Sequence, residues 1–260
     1  MKNFSLKDKV AIVTGAAGLI GKSFCEALKD AGAQVIATDI NTNEDLNNYF
    51  FQYSDITNEL SVQQLANNII ETFGKIDILV NNAAINDMFE DPKSTYELSK
   101  FENYPLELWN RSINVNLTGT FICSKIIGKE MLKNGKGSII NIASTYGINA
   151  PDQSLYKNKE DEQIFFKPPA YSASKGGVIM LTKFMAAYWG KSGIRVNTLS
   201  PGGVENGQDE FFINNYSKKT PLNRMATVDD YKGAIVFLAS DASSYMTGAN
   251  LIIDGGWTTW

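Results

Sequence analysis

The amino-acid sequence predicts an α/β domain in which helices cover both faces of a parallel sheet. Short runs rich in β-branched and aromatic residues alternate with longer segments that carry apolar residues at helical spacing. The strand runs are almost continuously apolar, as is typical of strands buried on both faces of a sheet. Repeated strand–helix–strand units require parallel pairing with right-handed crossovers, so the prediction is a doubly wound sheet.

Seven runs are predicted strands, and five longer segments are predicted helices. The strands are 9–14, 34–39, 49–54, 77–82, 137–143, 194–200 and 250–256. The helices are 19–32, 61–74, 106–135, 170–193 and 228–240. Nothing indicates a repeat or a second domain, so residues 1–260 are predicted to form one domain. Two segments, at about 85–105 and 148–169, are predicted to be loops inserted into this plan.

The composition excludes several classes of function. A net charge of −4 without a long basic run argues against nucleic acid or an anionic membrane surface as a partner. The chain contains no His, which excludes Ser-His-Asp hydrolysis and His-ligated metals, and we expect no metal site. Cys25 and Cys123 stand far apart in apolar contexts, which predicts reduced core residues. No run approaches the ~20 apolar residues of a membrane span, so we expect a cytoplasmic protein.

A glycine-rich turn, "TGAAGLIG" at 14–21, follows the first predicted strand and begins the first helix. Its glycines permit a tight turn and a close approach to a pyrophosphate, which the helix N-terminus would stabilise. Asp39 ends the second strand, where a carboxylate can accept hydrogen bonds from the adenosine ribose and repel a 2′-phosphate. The pattern therefore predicts NAD(H) rather than NADP(H). The alternative is an ordinary turn with Asp39 as a helix N-cap or turn residue.

Tyr171 and Lys175 lie one helical turn apart, in a run of small residues. A lysine ammonium lowers the pKa of a nearby phenol from its usual ~10, and an oxidised nicotinamide would lower it further. Such a phenol can exchange a proton with a carbonyl or alcohol oxygen while a hydride moves at carbon. Ser144 ends the fifth strand and can orient that oxygen, unless it only ends the strand in a turn. Asn116 predicts a local irregularity in its helix, unless it is a buried Asn satisfied by its neighbours.

Taken together, these features resemble the short-chain dehydrogenase/reductase family over essentially the whole chain. The segments that carry the resemblance are "TGAAGLIG" 14–21, Asp39, "SDIT" 54–57, "NNAA" 81–84, "NVNLTG" 114–119, "NIAS" 141–144, "YSASK" 171–175, "RVNTLSPGGV" 195–204 and "DGG" 254–256. The resemblance implies a Rossmann-type fold with a seven-stranded sheet. It also implies a catalytic tetrad of Asn116, Ser144, Tyr171 and Lys175.

In this family, Tyr171 would be the acid/base and Ser144 the partner of the substrate oxygen. Lys175 would lower the pKa of Tyr171 and hold the nicotinamide ribose, while Asn116 would support a water molecule in the proton relay. Asp55 would lie beside the adenine. The residues that the resemblance implies for NAD binding are Gly15, Gly18, Leu19, Ile20, Gly21, Asp39, Asp55, Ile56, Asn82, Ala83, Ala84, Tyr171, Lys175, Pro201, Gly202, Val204 and Asn206.

The sequence departs from the family pattern in its turn and in its loops. Leu19 stands where members with this tetrad more often have Gly, so we assign the chain to the shorter branch with a variant turn. Asn206 replaces the Thr that commonly contacts the nicotinamide carboxamide. Both insertions follow strands at the carboxyl edge and are expected to flank the substrate mouth, or else to form a subunit interface or a mobile loop. Polar residues of the second insertion that could bind a hydroxyl-rich ligand are Asp152, Gln153, Tyr156, Lys157 and Lys167.

The sequence therefore predicts an NAD(H)-dependent oxidoreductase that interconverts a secondary alcohol and a ketone, with a small sugar-like or polyol substrate. One alternative is a 3-oxoacyl-carrier-protein-type reductase, but that branch generally prefers NADPH and would need a basic docking patch. Another is a non-catalytic dinucleotide-binding sensor, although such proteins typically lose part of the tetrad. Family members are mostly dimers or tetramers that pack through two long helices, so we expect a homodimer or homotetramer. Candidates for the docking patch are Lys125, Lys129, Lys133 and Lys136.

Overall fold

A computed structural model of the chain describes residues 2–42, 44–86 and 96–260. Seven strands form one sheet in the order β3-β2-β1-β4-β5-β6-β7, and every neighbouring pair is parallel. The predicted fold class is confirmed. The strands are β1 Val10–Thr14, β2 Gln34–Asp39, β3 Phe50–Tyr53, β4 Ile78–Asn81, β5 Gly137–Ile142, β6 Ile194–Pro201 and β7 Asn250–Ile253.

The order of the strands reverses direction between β1 and β4. In β1, Val13 pairs with Val80 of β4, and Thr14 pairs with Thr38 of β2. The connection that follows β1 and the one that follows β4 cover opposite faces of the sheet. A crevice therefore opens beyond the carboxyl ends of these two strands. This crevice is where a doubly wound sheet binds its ligands.

Helices cover both faces, as predicted. On one face, Phe24 and Leu238 belong to a buried cluster with the sheet, and on the other face Leu65, Ile127 and Met185 do so. None of the described helices is long and apolar enough to span a membrane. The helices are α1 Leu19–Asp30, α2 Glu59–Phe73, α3 Tyr96–Ser99, α4 Leu106–Ile113, α5 Thr120–Asn134, α6 Pro169–Trp189, α7 Glu210–Ser217 and α8 Lys232–Ala239.

The two cysteines are free and buried, one in each of the main clusters. Burial in apolar surroundings raises the pKa of the Cys25 thiol and of the Cys123 thiol to about 12. A thiol with so high a pKa carries almost no thiolate at neutral pH and is chemically inert. The prediction of reduced core residues is confirmed.

The predicted helix over 106–135 is interrupted. A π-helical turn, Asn114–Gly119, separates α4 from α5. Gly119 packs directly on Ile56, because a Cβ atom at this position would lie 2.6 Å from the Ile56 Cδ1. The Asn116 carbonyl accepts a hydrogen bond of 2.9 Å from the Thr120 hydroxyl. The irregularity predicted from Asn116 is confirmed, and it takes the form of a π-turn.

The second predicted insertion folds against the body of the protein. Leu155 and Tyr156 lie in a third buried cluster together with Tyr216, Met225 and Trp257. We call these five residues the aromatic cluster. The two insertions also touch each other, since the Phe166 amide donates to the Ser99 hydroxyl at 3.0 Å. Residues 87–95 of the first insertion lie outside the described residues.

Candidate active site

The glycine-rich turn joins β1 to α1 and is held in a tight conformation. Gly15 has φ of +64°, which favours glycine, and a Cβ atom there would lie 2.6 Å from the Ala83 Cα. A Cβ atom on Gly21 would collide with the Gly15 carbonyl oxygen. Gly18 is the N-cap of α1 and provides no side-chain cap to the first amides of the helix. These amides fit a pyrophosphate, because helix N-termini stabilise anions.

The segment after β4 supports this turn. The Asn82 Nδ2 donates to the carbonyl oxygens of Thr14 and Gly15, both at 3.0 Å. The Thr14 hydroxyl in turn accepts from the amides of Asn82 and Ala83 at 3.0 and 3.1 Å. The resemblance implies that Asn82 and Ala83 bind NAD. The structure shows that they first fix the shape of the turn.

Asp39 lies next to the turn, at the carboxyl end of β2. Its Oδ2 accepts a hydrogen bond from the Ala17 amide at 3.0 Å, and its Oδ1 accepts one from Asn41 at 2.9 Å. The Ser54 amide donates to the Asp39 carbonyl, which brings the "SDIT" segment to the same edge. There the Asp55 Oδ1 accepts from the Thr57 amide and hydroxyl, and Ile56 is buried. A carboxylate at this position fits the adenosine ribose of NAD.

Three of the four tetrad residues border one cavity of about 280 Å³ at the carboxyl edge of the sheet. Ser144 follows β5, and Tyr171 and Lys175 project from the first turns of α6. Their positions are adjacent because α6 packs against the carboxyl end of β5. The predicted residues that line this cavity are Ile20, Asn82, Ala84, Ser144, Tyr171, Lys175, Pro201, Gly202 and Val204.

Asn116 lies outside the lining of this cavity and is almost completely buried. Its Oδ1 accepts from the Ile85 amide at 2.8 Å, and its Nδ2 donates to the Ile85 carbonyl at 3.0 Å and to the Ser174 hydroxyl at 3.2 Å. The side chain therefore ties the segment after β4 to α6. This arrangement favours the interpretation of a buried Asn satisfied by its neighbours, and a part in a proton relay stays a prediction.

Burial governs the electrostatics of the pair on α6. The Lys175 Nζ donates to the Ile142 carbonyl at 2.7 Å and lies 5.7 Å from the centroid of the Tyr171 ring. Desolvation lowers the pKa of Lys175 to about 8. Desolvation also raises the pKa of Tyr171, and a hydrogen bond with Ser144 opposes this rise only in part. The pKa of Tyr171 therefore lies above its usual value in this structure, and the lowering by Lys175 together with an oxidised nicotinamide stays a prediction.

The loop after β6 differs from the expectation for Asn206. This residue is exposed and does not line the cavity, whereas Gln208 does. The Gln208 Oε1 accepts from the Asn206 amide at 2.6 Å, and its Nε2 donates to the Val204 carbonyl at 3.0 Å. Gln208 rather than Asn206 therefore lines the cavity of Ser144 and Tyr171, and a contact of Asn206 with the nicotinamide carboxamide stays a prediction.

Two of the five polar residues chosen in the second insertion, Tyr156 and Lys167, line the cavity. The other three do not: Asp152 pairs with Lys219, Lys157 pairs with Asp161, and Gln153 binds backbone atoms. Sequence reasoning missed several lining residues because no local motif identifies them and most lie far from the tetrad in sequence. The missed residues include Asn86, Thr145, Tyr146, Gln208, Phe212, Tyr216 and Met225.

Known proteins resemble this chain over its whole length. The family model described as "Enoyl-(Acyl carrier protein) reductase" matches residues 15–258. The D-threitol dehydrogenase of Mycolicibacterium smegmatis is 36% identical over 271 residues, which cover 98% of this chain and 95% of that protein. The NAD-dependent glycerol dehydrogenase of Listeria innocua is 34% identical, with 99% and 96% covered.

Solved structures agree with this similarity. A short-chain dehydrogenase from Leptospira borgpetersenii with bound NAD+ superposes with a TM-score of 0.86 at 34% identity, covering 99% of this chain and 96% of that one. A gluconate 5-dehydrogenase from Burkholderia cenocepacia, in complex with NADP and tartrate, superposes with a TM-score of 0.83 at 30% identity, covering 99% and 98%. The similar proteins thus include one that binds NAD+ and one that binds NADP.

Proposed function

Because this chain belongs to the short-chain dehydrogenase/reductase family, a family of nicotinamide-dependent oxidoreductases, we propose that it uses NAD(H) to interconvert a secondary alcohol and a ketone. The observation that carries the proposal is the convergence of Ser144, Tyr171 and Lys175 on one cavity beside the glycine-rich turn. The substrate is a small polyol or sugar-like molecule. The hydroxyl, amide and ammonium groups in the lining of the cavity support this class, as do the threitol, glycerol and gluconate dehydrogenases among the similar proteins.

The residues present fit the dinucleotide. The free amides at the start of α1 would hold the pyrophosphate, Asp39 the adenosine ribose, and Lys175 the nicotinamide ribose. Pro201 and Gly202 would border the nicotinamide. When bound, the nicotinamide exchanges a hydride with the substrate carbon.

The chain's own groups manage the proton and the orientation of the substrate. The Tyr171 hydroxyl gives a proton to the carbonyl oxygen, or takes one from the alcohol. The Ser144 hydroxyl orients that oxygen and, by its hydrogen bond with Tyr171, stabilises the phenolate. The Lys175 ammonium favours the phenolate as well, as does any positive charge brought next to the ring. Phe212 and Tyr216 line the same cavity and present aromatic surface to the substrate.

The test is a turnover assay with the purified protein. NAD+ and NADP+ are each combined with a panel of four- to six-carbon polyols and sugar acids, and the formation of the reduced nicotinamide is followed by absorbance. We expect oxidation of at least one member of the panel, with NAD+ as the better acceptor. Failure of every combination, by a protein that is folded and binds NADH, would contradict the proposal.

The choice between NAD and NADP should depend on the charge of Asp39. Asp39→Asn keeps an oxygen that can accept from the Ala17 amide but removes the charge that repels a 2′-phosphate. We expect the ratio of kcat/KM with NAD+ to kcat/KM with NADP+ to fall about 10- to 100-fold, as for a charge–charge repulsion close to the protein surface. Asp55→Asn is the matched control, and it should change the ratio less than about threefold because its carboxylate binds Thr57. An unchanged ratio in Asp39→Asn would refute this assignment.

We also propose that the protein is a homodimer or homotetramer. Helix α6 exposes an apolar stripe of Met180, Phe184 and Tyr188, each more than 60% exposed. Phe121 of α5 lines a shallow groove together with Met180 and Phe184. Phe184→Glu should shift the molar mass measured by light scattering towards the monomer, because a charge at the centre of an apolar interface must be desolvated. Tyr245→Glu, at an even more exposed aromatic side chain outside this stripe, should leave the mass unchanged. A monomeric unaltered protein would exclude the proposal.

The alternatives receive less support. Three of the four lysines suggested as a carrier-docking patch form ion pairs: Lys125 with Glu59, Lys133 with Glu130, and Lys136 with Asp241. Such pairs reduce the positive field that an acidic carrier would need. A purely dinucleotide-binding sensor would not need Ser144 and Tyr171 side by side at a cavity.

A further inference from the structure

The cavity of the catalytic residues contains a second buried lysine, Lys167. Its side chain is only 8% exposed, and it lies in the second insertion, four residues before Tyr171. The Lys167 Nζ stands 5.0 Å from the centroid of the Tyr171 ring and 5.9 Å from that of the Tyr146 ring. A substrate whose reacting oxygen approaches Tyr171 therefore lies within reach of this ammonium.

The backbone of Lys167 is fixed from both sides. The Lys167 amide donates to the Gln153 Oε1 at 2.8 Å, and the Lys167 carbonyl accepts from the Gln153 Nε2 at 3.4 Å. The Gln163 Nε2 donates to the Gln153 carbonyl at 2.8 Å and so holds this arrangement. Pro168 follows directly, and a residue before proline has few accessible backbone conformations. The ammonium is thus presented by a rigid loop rather than by a flexible one.

The charge of the cavity has one sign. Its charged lining residues, within the part of the chain that the structure describes, are Lys167 and Lys175, and no Asp or Glu is among them. Lys175 already donates to the Ile142 carbonyl and serves the nicotinamide ribose in the proposed function. Burial lowers the pKa of Lys167 to about 7, and a carboxylate that accepts a hydrogen bond from its Nζ would favour the charged form. Tyr146 and Tyr156 line the same cavity, and their hydroxyls would serve as hydrogen-bond partners for the hydroxyl groups of a ligand.

We propose that Lys167 binds the carboxylate of the substrate, so that the enzyme prefers polyhydroxy acids (aldonates and their keto forms) to neutral polyols of the same length. This inference rests on the proposed function, whose substrate class it narrows. The carboxylate at one end of the substrate's carbon chain would contact Lys167. The carbinol group that reacts would lie at Ser144 and Tyr171. A charge-assisted hydrogen bond in a desolvated site is strong and directional, which suits it to select one end of a linear molecule.

The test compares substrate pairs that differ only in a terminal carboxylate or hydroxymethyl group. D-gluconate with D-glucitol and D-threonate with D-threitol are titrated calorimetrically into the enzyme saturated with NADH, where neither partner can transfer a hydride. We expect an aldonate to bind at least about 10-fold more tightly than its polyol in one pair. Lys167→Met should raise the Kd of that aldonate about 10- to 100-fold, the range for a hydrogen bond to a charged group. The Kd of the polyol should change less than about threefold.

Two further variants separate recognition from structure. Lys167→Arg keeps a positive charge at the same position and should retain most of the preference for the aldonate. Lys157→Met removes an exposed lysine of the same insertion, which pairs with Asp161, and should change nothing. Thermal unfolding of each variant reports whether the fold is intact.

The outcomes are distinct. Equal or tighter binding of the polyol in both pairs, an equal loss for both members in Lys167→Met, or binding of neither member would overturn the inference. If the aldonate preference depends on Lys167 but no turnover occurs with NAD+ or NADP+, the proposed function fails while the carboxylate site stands. If turnover occurs but Lys167→Met reduces kcat equally for both classes, Lys167 acts through Tyr171 and the carboxylate site is wrong.

Discussion

Tyr171→Phe is expected to lower kcat by about 10³-fold, within the range of 10²- to 10⁴-fold for the loss of a general acid–base group. The substitution removes only the oxygen that exchanges a proton with the substrate. The ring remains, so its contacts with Lys167 and Lys175 persist, and the affinity for NADH should change less than about threefold. Steady-state kinetics with the best substrate and a fluorescence titration with NADH measure the two quantities.

A second tyrosine of the cavity provides the matched control. The Tyr156 hydroxyl lies 3.3 Å from the Tyr146 hydroxyl and belongs to the wall rather than to the pair on α6. Tyr156→Phe should lower kcat less than about tenfold, since a hydrogen bond between neutral groups contributes about 1 kcal/mol. Retention of more than a tenth of the original kcat by Tyr171→Phe would mean that another group moves the proton.

Gly21→Ala should destabilise the protein and abolish tight dinucleotide binding together. The added Cβ atom would meet the Gly15 carbonyl oxygen and lie 2.9 Å from the Asn82 Nδ2. Relief requires the backbone of the turn to move, which breaks the two hydrogen bonds that Asn82 donates. We expect a loss of about 2–3 kcal/mol in the free energy of unfolding, the upper part of the range for overpacking, measured by chemical denaturation. The Kd for NADH should rise by more than tenfold, because the first amides of α1 no longer face the pyrophosphate.

Two other glycines distinguish this effect from a general cost of adding a methyl group. A Cβ atom on Gly18 would have a single close neighbour, the Gly15 oxygen at 3.3 Å, and Gly18 has φ of −74°. Gly18→Ala should therefore keep the free energy of unfolding while raising the Kd for NADH. A Cβ atom on Gly233, in α8, would meet nothing within 4 Å, so Gly233→Ala should be neutral or stabilising. Equal stabilities for Gly21→Ala and Gly18→Ala would show that the turn adapts.

The sheet was predictable because each strand is specified locally by a continuous apolar run between turn residues. Helix α7, Glu210–Ser217, was not predicted, although Asp209 caps it with a hydrogen bond to the Phe212 amide. The helix has only eight residues, and Phe212 and Tyr216 pack in or against the aromatic cluster, whose members are distant in sequence. Strand β7 ends at Ile253, earlier than predicted, because Gly255 and Gly256 adopt positive φ angles of a turn.

The candidate site was predictable to the extent that spacing determines it. Tyr171 and Lys175 share a helix face, and Ser144 follows the strand beside that helix, so their approach needs no knowledge of loops. The upward shift of the Tyr171 pKa was not predictable, because burial is a property of the packed protein and outweighs the hydrogen bond with Ser144. The presence of Gln208 rather than Asn206 in the cavity lining was not predictable either, because it depends on the path of the chain after β6.

The chain that leads from Ser144 to Tyr171 is fastened by contacts with remote parts of the sequence. Trp257 stacks on Tyr216 with a centroid distance of 4.4 Å, and both belong to the aromatic cluster with Tyr156. Changes at Trp257 can therefore reshape the chamber without altering any group that moves a proton. The range of substrates and the chemical step can therefore change separately during evolution. A library of variants at the residues of the aromatic cluster is the natural starting point for redirecting the enzyme to new alcohols.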